Sequence, residues 1–226
     1  MSEWLTHARP LLDPALPLLP APGLMQASLC LGWGLVLAAV GSMVLGPRLG
    51  RRPMLWLMPL LLAVWPWLPG TLSASYWLAL AFQAPSLSAV LLSVLVLHAR
   101  WAHPLEPKLC ARWLGAPLAW ALATLGVVLG WALLLDAFAV LPVQLYACGF
   151  SPAAAVVVVA LALASWALLR AAPGRGLIAG VVPLAVALYV LLRLPSGNLW
   201  DAVLDPWLWL VLQVVVLRKL SILLLK

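Results

Sequence analysis

The stretch that decides the fold is residues 24–46, LMQASLCLGWGLVLAAVGSMVLG, in which no residue carries a charge. A helix that crosses a hydrocarbon core of about 30 Å needs about 20 predominantly apolar residues. Small residues recur every four positions here, at Gly34, Ala38, Ser42 and Gly46. Such a row lets a second helix approach closely, which matters in lipid because helices there associate through packing. The stretch therefore predicts a membrane-spanning helix with a packing groove along one face.

The rest of the chain has the same apolar character. Of its 226 residues, 66% are hydrophobic and 8% are charged, whereas a soluble domain carries roughly 25% charged residues. The lipid bilayer must therefore be the solvent for most of the protein. The net charge of +7 does not indicate nucleic acid, because the basic residues are scattered between apolar runs and form no contiguous patch.

Six further segments meet the same criterion, so the predicted fold is an all-α integral membrane protein, a bundle of seven transmembrane helices within residues 24–226. The seventh is short unless Asp205-Pro206 caps and begins it, which is a typical helix start. Residues 1–23, which contain five prolines, read as an apolar periplasmic or interfacial tail. The predicted spans are residues 24–46, 54–69, 75–97, 113–135, 152–169, 176–192 and 206–225.

The orientation follows from the placement of the 13 Lys and Arg residues, because cytoplasmic loops carry an excess of them. With the N-terminus outside and the C-terminus cytoplasmic, only Arg9 and Arg193 lie outside. The 11 inner residues are Arg48, Arg51, Arg52, Arg100, Lys108, Arg112, Arg170, Arg175, Arg218, Lys219 and Lys226. Isoleucine occurs only twice and asparagine once, while Ala, Leu, Pro, Gly and Arg are abundant, which is typical of a GC-rich genome. We therefore expect a multi-pass protein of a bacterial inner (plasma) membrane.

Polar residues form a candidate seam in the third predicted span, where Gln83, Ser86 and Ser93 follow helical spacing beside Pro85. One interpretation is a kinked helix, since proline frees a backbone carbonyl that Ser or Gln can satisfy. The alternative is a neutral substrate-lining face that Gln213 of the last span completes. The absence of a titratable group from the set favours the kinked helix.

Charged residues form a second candidate site at the predicted outer edge, namely Asp136, Arg193, Asp201 and Asp205. Asp201 and Asp205 would share a helical face if the segment between them is helical. We expect Arg193 to pair with Asp201, because Asp205 is better placed to cap the helix that begins at Pro206. The set is interpreted as capping plus a surface ion pair, with an ion-entry site as the alternative.

A further small-residue pair, Gly126 and Gly130, predicts close helix packing in the fourth span. This groove and the one in the first span face either other helices of the bundle or a partner, which would be another membrane subunit or a second copy. No catalytic, cofactor or metal motif is present, and His7, His98 and His103 form no bis-histidine haem pair.

Two classes of function remain. The first is a non-catalytic integral membrane subunit, scaffold or assembly factor of an inner-membrane complex, which accounts for uncharged spans and small-residue grooves. The second is a small-solute transporter or facilitator with a neutral polar path. A membrane-embedded enzyme is a third possibility for which the sequence offers no candidate residues.

Overall fold

The computed structural model describes residues 19–49, 54–102, 117–151 and 180–225, together with isolated positions in 154–163 and Ile178. These residues form helices and the turns that connect them, and no strand occurs within those ranges. Three helices are long and apolar enough to cross a membrane, namely Pro22–Leu45, Trp120–Ala137 and Pro206–Leu224. Helical membrane character is thus supported by length and composition.

The α-helices are numbered in chain order. Two short 3-10 helices, Trp65–Trp67 and Gly70–Leu72, connect the α-helix that ends at Val64 to the one that begins at Ala74. The helices are α1 (Pro22–Leu49), α2 (Met54–Val64), α3 (Ala74–Phe82), α4 (Leu87–Ala102), α5 (Pro117–Ala137), α6 (Leu145–Cys148), α7 (Val181–Leu192), α8 (Leu199–Val203) and α9 (Pro206–Leu224).

Three predicted spans coincide closely with observed helices. The first, fourth and seventh correspond to α1, α5 and α9, although α1 starts at Pro22 and so includes the end of the predicted tail. Helix α7 corresponds to the C-terminal part of the sixth predicted span, 176–192. Residues 1–18 of the tail and most of the fifth span, 152–169, lie outside the described residues.

The predicted second span, 54–69, changes from α-helical to 3-10 geometry before its end. Helix α2 ends at Val64, and a 3-10 helix follows over Trp65–Trp67, with Leu68 extended at φ −67° and ψ 152°. Pro69 explains the end of the helical geometry, because the residue that precedes a proline, here Leu68, is driven away from the α-helical region. Helical geometry thus covers residues 54–67 of the predicted span 54–69, as α2 and the 3-10 helix that follows it.

The predicted third span is divided between α3 and α4. Gln83 ends α3 with φ 61° and ψ −149°, and its carbonyl accepts a hydrogen bond from Trp33 Nε1 at 3.0 Å. Pro85 disfavours helical geometry at the preceding residue and supplies no backbone N–H. The expected kinked but continuous helix over 75–97 is thus wrong, and its polar residues do not share one helical face.

Helix α4 is the element that joins the two described clusters of the core. One cluster surrounds Tyr189 of α7 and includes Leu87 of α4 and Leu199 of α8. The other joins Ala89 of α4 to Leu208 of α9, with the partly buried Leu129 of α5 beside it. Helix α1 packs against α2 and α4, whereas α5 pairs with α9 at the side of the bundle.

Most side chains of the α5–α9 pair are not buried within the bundle. Of the residues in the candidate spans of α5 and α9, 11% and 6% are buried, against 50% in the candidate span of α1. The exposed side chains in the middle of both helices are apolar, as at Leu125 and Val214. A helix of this kind is stable where lipid covers the face that the protein leaves open.

Candidate functional site

Asp205 is the only charged side chain that is buried within the described ranges, at 4% exposed. Its Oδ1 accepts the backbone N–H of Leu208 at 2.8 Å, and its Oδ2 accepts that of Ser86 at 2.7 Å. These amides belong to the starts of α9 and α4, where backbone N–H groups have no partner within the helix. The positive end of each helix dipole also stabilises a carboxylate. One side chain therefore joins two helix starts that are 119 residues apart in the sequence.

The predicted role of Asp205 as the cap of the last helix is confirmed. Its backbone is extended at φ −117° and ψ 164°, and Pro206 occupies the first turn. The predicted helical face shared by Asp205 and Asp201 is wrong. Asp201 lies in α8, which ends at Val203, and the extended Leu204 turns the chain before α9 begins.

Serine hydroxyls at the start of α4 engage the backbone of the same helix. The buried Ser86 Oγ accepts the N–H of Ala89 at 3.1 Å, and Ser93 Oγ donates to the carbonyl of Ala89 at 2.8 Å. Ser88 Oγ is buried without a hydrogen-bond partner. Such bonds to the helix backbone are the ones that caps and buried serines make.

The candidate polar seam is therefore dispersed. Gln83 is exposed at the break between α3 and α4, and only its backbone is engaged by Trp33. Gln213 is half-buried on α9, which pairs with α5. No hydrogen bond joins Gln83, Ser86, Ser93 and Gln213 to one another in the part of the chain that the structure describes.

Asp201 lies in a second polar group, at the end of the bundle where α5 ends and α9 begins. Its Oδ2 accepts hydrogen bonds from Tyr146 Oη at 2.9 Å and from Ser196 Oγ. Burial, and then the negative charge of Asp201, raise the pKa of Tyr146 above its ordinary range. The phenol therefore remains a protonated donor to this carboxylate.

Asn198 ties α6 to α8 beneath this contact. It is fully buried, its Nδ2 donates to the Tyr146 carbonyl at 3.0 Å, and its Oδ1 accepts from the Trp200 N–H at 2.9 Å. Trp200 Nε1 donates in turn to the carbonyl of Leu145 at 2.8 Å. A Cβ atom at Gly149 would lie 2.0 Å from Asn198 Oδ1, so the close approach requires glycine.

The predicted ion pair between Arg193 and Asp201 is wrong. Arg193 Nη1 donates to Tyr189 Oη at 3.4 Å, and the guanidinium carbon lies 5.4 Å from the centroid of the same ring. Tyr189 is one turn earlier on α7 and offers this contact locally, while neutral hydroxyl donors already engage Asp201. No ion pair joins Arg193 to Asp201 or Asp205 among the described residues.

Asp136, at the end of α5, accepts the backbone N–H of Tyr146 at 2.7 Å. It is therefore linked to Asp201 through the backbone and side chain of one tyrosine. Asp205 belongs to the separate α4–α9 junction, and Arg193 turns towards Tyr189. The four residues of the predicted charge cluster thus belong to three separate groups of contacts.

The predicted groove of α1 faces α2. A Cβ atom at Gly34 would lie 2.6 Å from the carbonyl oxygen of Ala63, and Ala38 is buried. Ser42 is half-buried and donates to the carbonyl of Ala39 at 2.7 Å. The surroundings of Gly46 lie outside the described residues.

The glycines of α5 lie against α9. Cβ atoms at Gly126 and Gly130 would come within 2.6 Å of Leu212 and 2.2 Å of Trp209. The indole Nε1 of Trp209 donates to the carbonyl of Val127 at 3.2 Å. This close approach keeps two otherwise open helices together.

Together these contacts hold helices in position, and the polar groups that make them already have protein partners. Each carboxylate described above accepts protein N–H or O–H groups, and no group of three or more His, Cys, Asp or Glu within the described part is placed to hold a metal ion. Cys30 and Cys148 are free thiols. The arrangement is suited to fixing helix ends.

Sequence reasoning missed the neutral residues that organise the second polar group, Tyr146, Tyr189, Ser196 and Asn198. One signal was present, because Asn198 is the single asparagine and directly precedes two apolar residues, Leu199 and Trp200, as a helix cap can. Its partners on α6 are about 50 residues away in the sequence, at a separation of 52 for Tyr146. No local pattern indicates them.

Comparison with known proteins gives no relative: no protein-family model, curated protein or solved structure matches this chain.

Proposed function

We propose that the chain is a non-catalytic integral membrane subunit, scaffold or assembly factor of a bacterial inner-membrane complex. The observation that carries this proposal is the use of Asp205. A buried ionisable residue in a membrane helix bundle is by default a candidate for binding or transport. Here both carboxylate oxygens accept backbone N–H groups that begin α4 and α9. The charge is thus accounted for by helix capping.

The second polar group supports the same proposal. Asp201 accepts two hydroxyl donors, and Asn198 joins α6 to α8 through both ends of its amide. A solute path requires polar groups that can exchange protein partners for solute. These groups instead connect segments of the chain that are distant in sequence.

The proposed topology has seven spans, with the N-terminus outside and the C-terminus in the cytoplasm. It rests on the 11-to-2 distribution of Lys and Arg.

Cysteine at Thr71, which is exposed in a 3-10 turn, should react with an impermeant thiol reagent in intact cells. Cysteine at Ala172 should react only after the cells are opened. Reaction at 172 in intact cells would contradict the topology. Ser196 is a poor labelling position because its hydroxyl binds Asp201.

The subunit function is tested by the native mass of the particle that contains the chain. A tagged chain is expressed in its host, extracted with its surrounding lipid and measured by native mass spectrometry. The proposal predicts a defined stoichiometric particle heavier than the 24.2 kDa chain, with other protein in it. A single chain with lipid alone would contradict it.

Purified protein then distinguishes the alternative. A solute that binds the folded state raises its thermal stability by mass action. A panel of small neutral solutes should leave the melting temperature unchanged. A dose-dependent rise that is lost on substituting Gln83 or Gln213, both outside the capping contacts, would favour a facilitator built on the polar seam.

A further inference from the structure

The segment that follows α5 is an exposed apolar loop, residues 138–143, with the sequence FAVLPV. Phe138 is 72% exposed, Val140 64% and Val143 59%. No residue from 137 to 169 carries a charge. Side chains of this kind are unfavourable in water, so an exposed group of them marks a contact with lipid or protein.

Hydrogen bonds fix the base of this apolar loop. Asp136 Oδ2 accepts the N–H of Tyr146 at 2.7 Å, which brings the two ends of the segment together. The Val140 N–H donates to the carbonyl of Leu135 at 3.0 Å. Tyr146 is in turn bound to Asp201. The loop thus projects from a base that is attached to the rest of the bundle.

The pairing of α5 with α9 sets the level of the loop. Gly126 lies against Leu212, and Gly130 against Trp209, so the two helices run antiparallel. If this register continues along both helices, the end of α5 lies near the start of α9. The candidate span Trp120–Ala137 has 18 residues, which gives about 27 Å at about 1.5 Å per residue. That is close to the thickness of a hydrocarbon core, so the loop emerges at the headgroup level.

We propose that the apolar loop inserts Phe138, Val140 and Val143 into the interfacial layer of the bilayer at this end of the bundle. The loop continues the open apolar face of α5, of which Leu125 and Leu135 are exposed members. Its irregular backbone prevents deeper insertion, because unpaired N–H and C=O groups are not tolerated in hydrocarbon. Lipid is favoured over a protein partner because every side chain of residues 138–143 is apolar and the loop lies at the level of the headgroups.

The test measures the depth of a nitroxide label at Val140 and, separately, at Val143. Both side chains are exposed, so cysteine substitution removes no core contact. Cys30, Cys110 and Cys148 are replaced by serine, and retention of the wild-type melting profile is required. The full-length chain is reconstituted in phosphatidylcholine nanodiscs, with a label at Val214, exposed on α9, as the lipid reference. Collision of the label with oxygen, which partitions into lipid, is compared with collision with a water-soluble nickel chelate.

The proposal predicts more frequent collision with oxygen than with the chelate at both loop positions, and a shallower depth than at Val214. Chelate collision as frequent as for a free label would place the loop in water and overturn the proposal. Low collision with both reagents would show that protein covers the loop, from this chain or a second copy, and would overturn it equally. Neither result bears on the native mass of the particle, so the proposed subunit function is tested separately.

Discussion

The strongest expected effect of a single substitution is that of Asp205→Ala. The change leaves the N–H groups of Ser86 and Leu208 buried without their acceptor. Each such loss costs about 1–3 kcal/mol, so the free energy of unfolding should fall by about 2–6 kcal/mol. Asp205→Asn keeps one acceptor oxygen but turns an NH₂ group towards the other amide. Its cost should be about half of that range by the same reasoning.

The assay is equilibrium unfolding in mixed micelles, with hydrogen exchange followed by mass spectrometry. Exchange should accelerate in peptides that contain Ser86 as well as in those at the start of α9, although 119 residues separate the two positions. Asp136→Ala is the matched control, because it removes a carboxylate that accepts one backbone N–H at the same 2.7 Å. Water can replace that acceptor at an exposed site, so the cost should be about 1 kcal/mol or less.

One outcome would refute the reasoning about Asp205. If Asp205→Ala cost only about 1 kcal/mol and accelerated exchange at α9 alone, the residue would be an ordinary local cap. The bond to Ser86 would then contribute nothing to the stability of α4.

Three further predictions concern other parts of the fold, and each is tested by chemical unfolding. Gly130→Ala should lower the free energy of unfolding by about 1–3 kcal/mol, because its Cβ would meet the indole of Trp209 at 2.2 Å. Gly23→Ala is the control and should not destabilise, because nothing lies within 4 Å of its Cβ. Equal effects of the two substitutions would argue against close α5–α9 packing. Gln83→Gly should stabilise by about 1 kcal/mol by relieving the positive φ of 61°, and a loss of stability would contradict that strain. Arg193→Gln and Asp201→Asn should have additive effects, since no ion pair joins them; a coupling above about 0.5 kcal/mol would restore the pair.

The amino-acid sequence was sufficient for features that depend on neighbouring residues. The apolar runs that form α1, α5 and α9 are visible as hydropathy, because each is long enough to cross a bilayer by itself. The helix start at Asp205-Pro206 was equally visible, since capping involves residues only three positions apart. The small residues Gly126 and Gly130 marked a close helix contact but did not identify α9 as the partner.

Only the tertiary structure decided where the third predicted span breaks and what its polar residues contact. Apolar side chains lie on both sides of Gln83, so hydropathy gives no sign of the break there, and the indole of Trp33 that engages its carbonyl is 50 residues away. Opposite charge favoured a pair between Arg193 and Asp201, but Tyr146 and Ser196 already satisfy that carboxylate. The second oxygen of Asp205 reaches across 119 residues to Ser86. Such contacts depend on how the helices pack, which no local pattern of residues specifies.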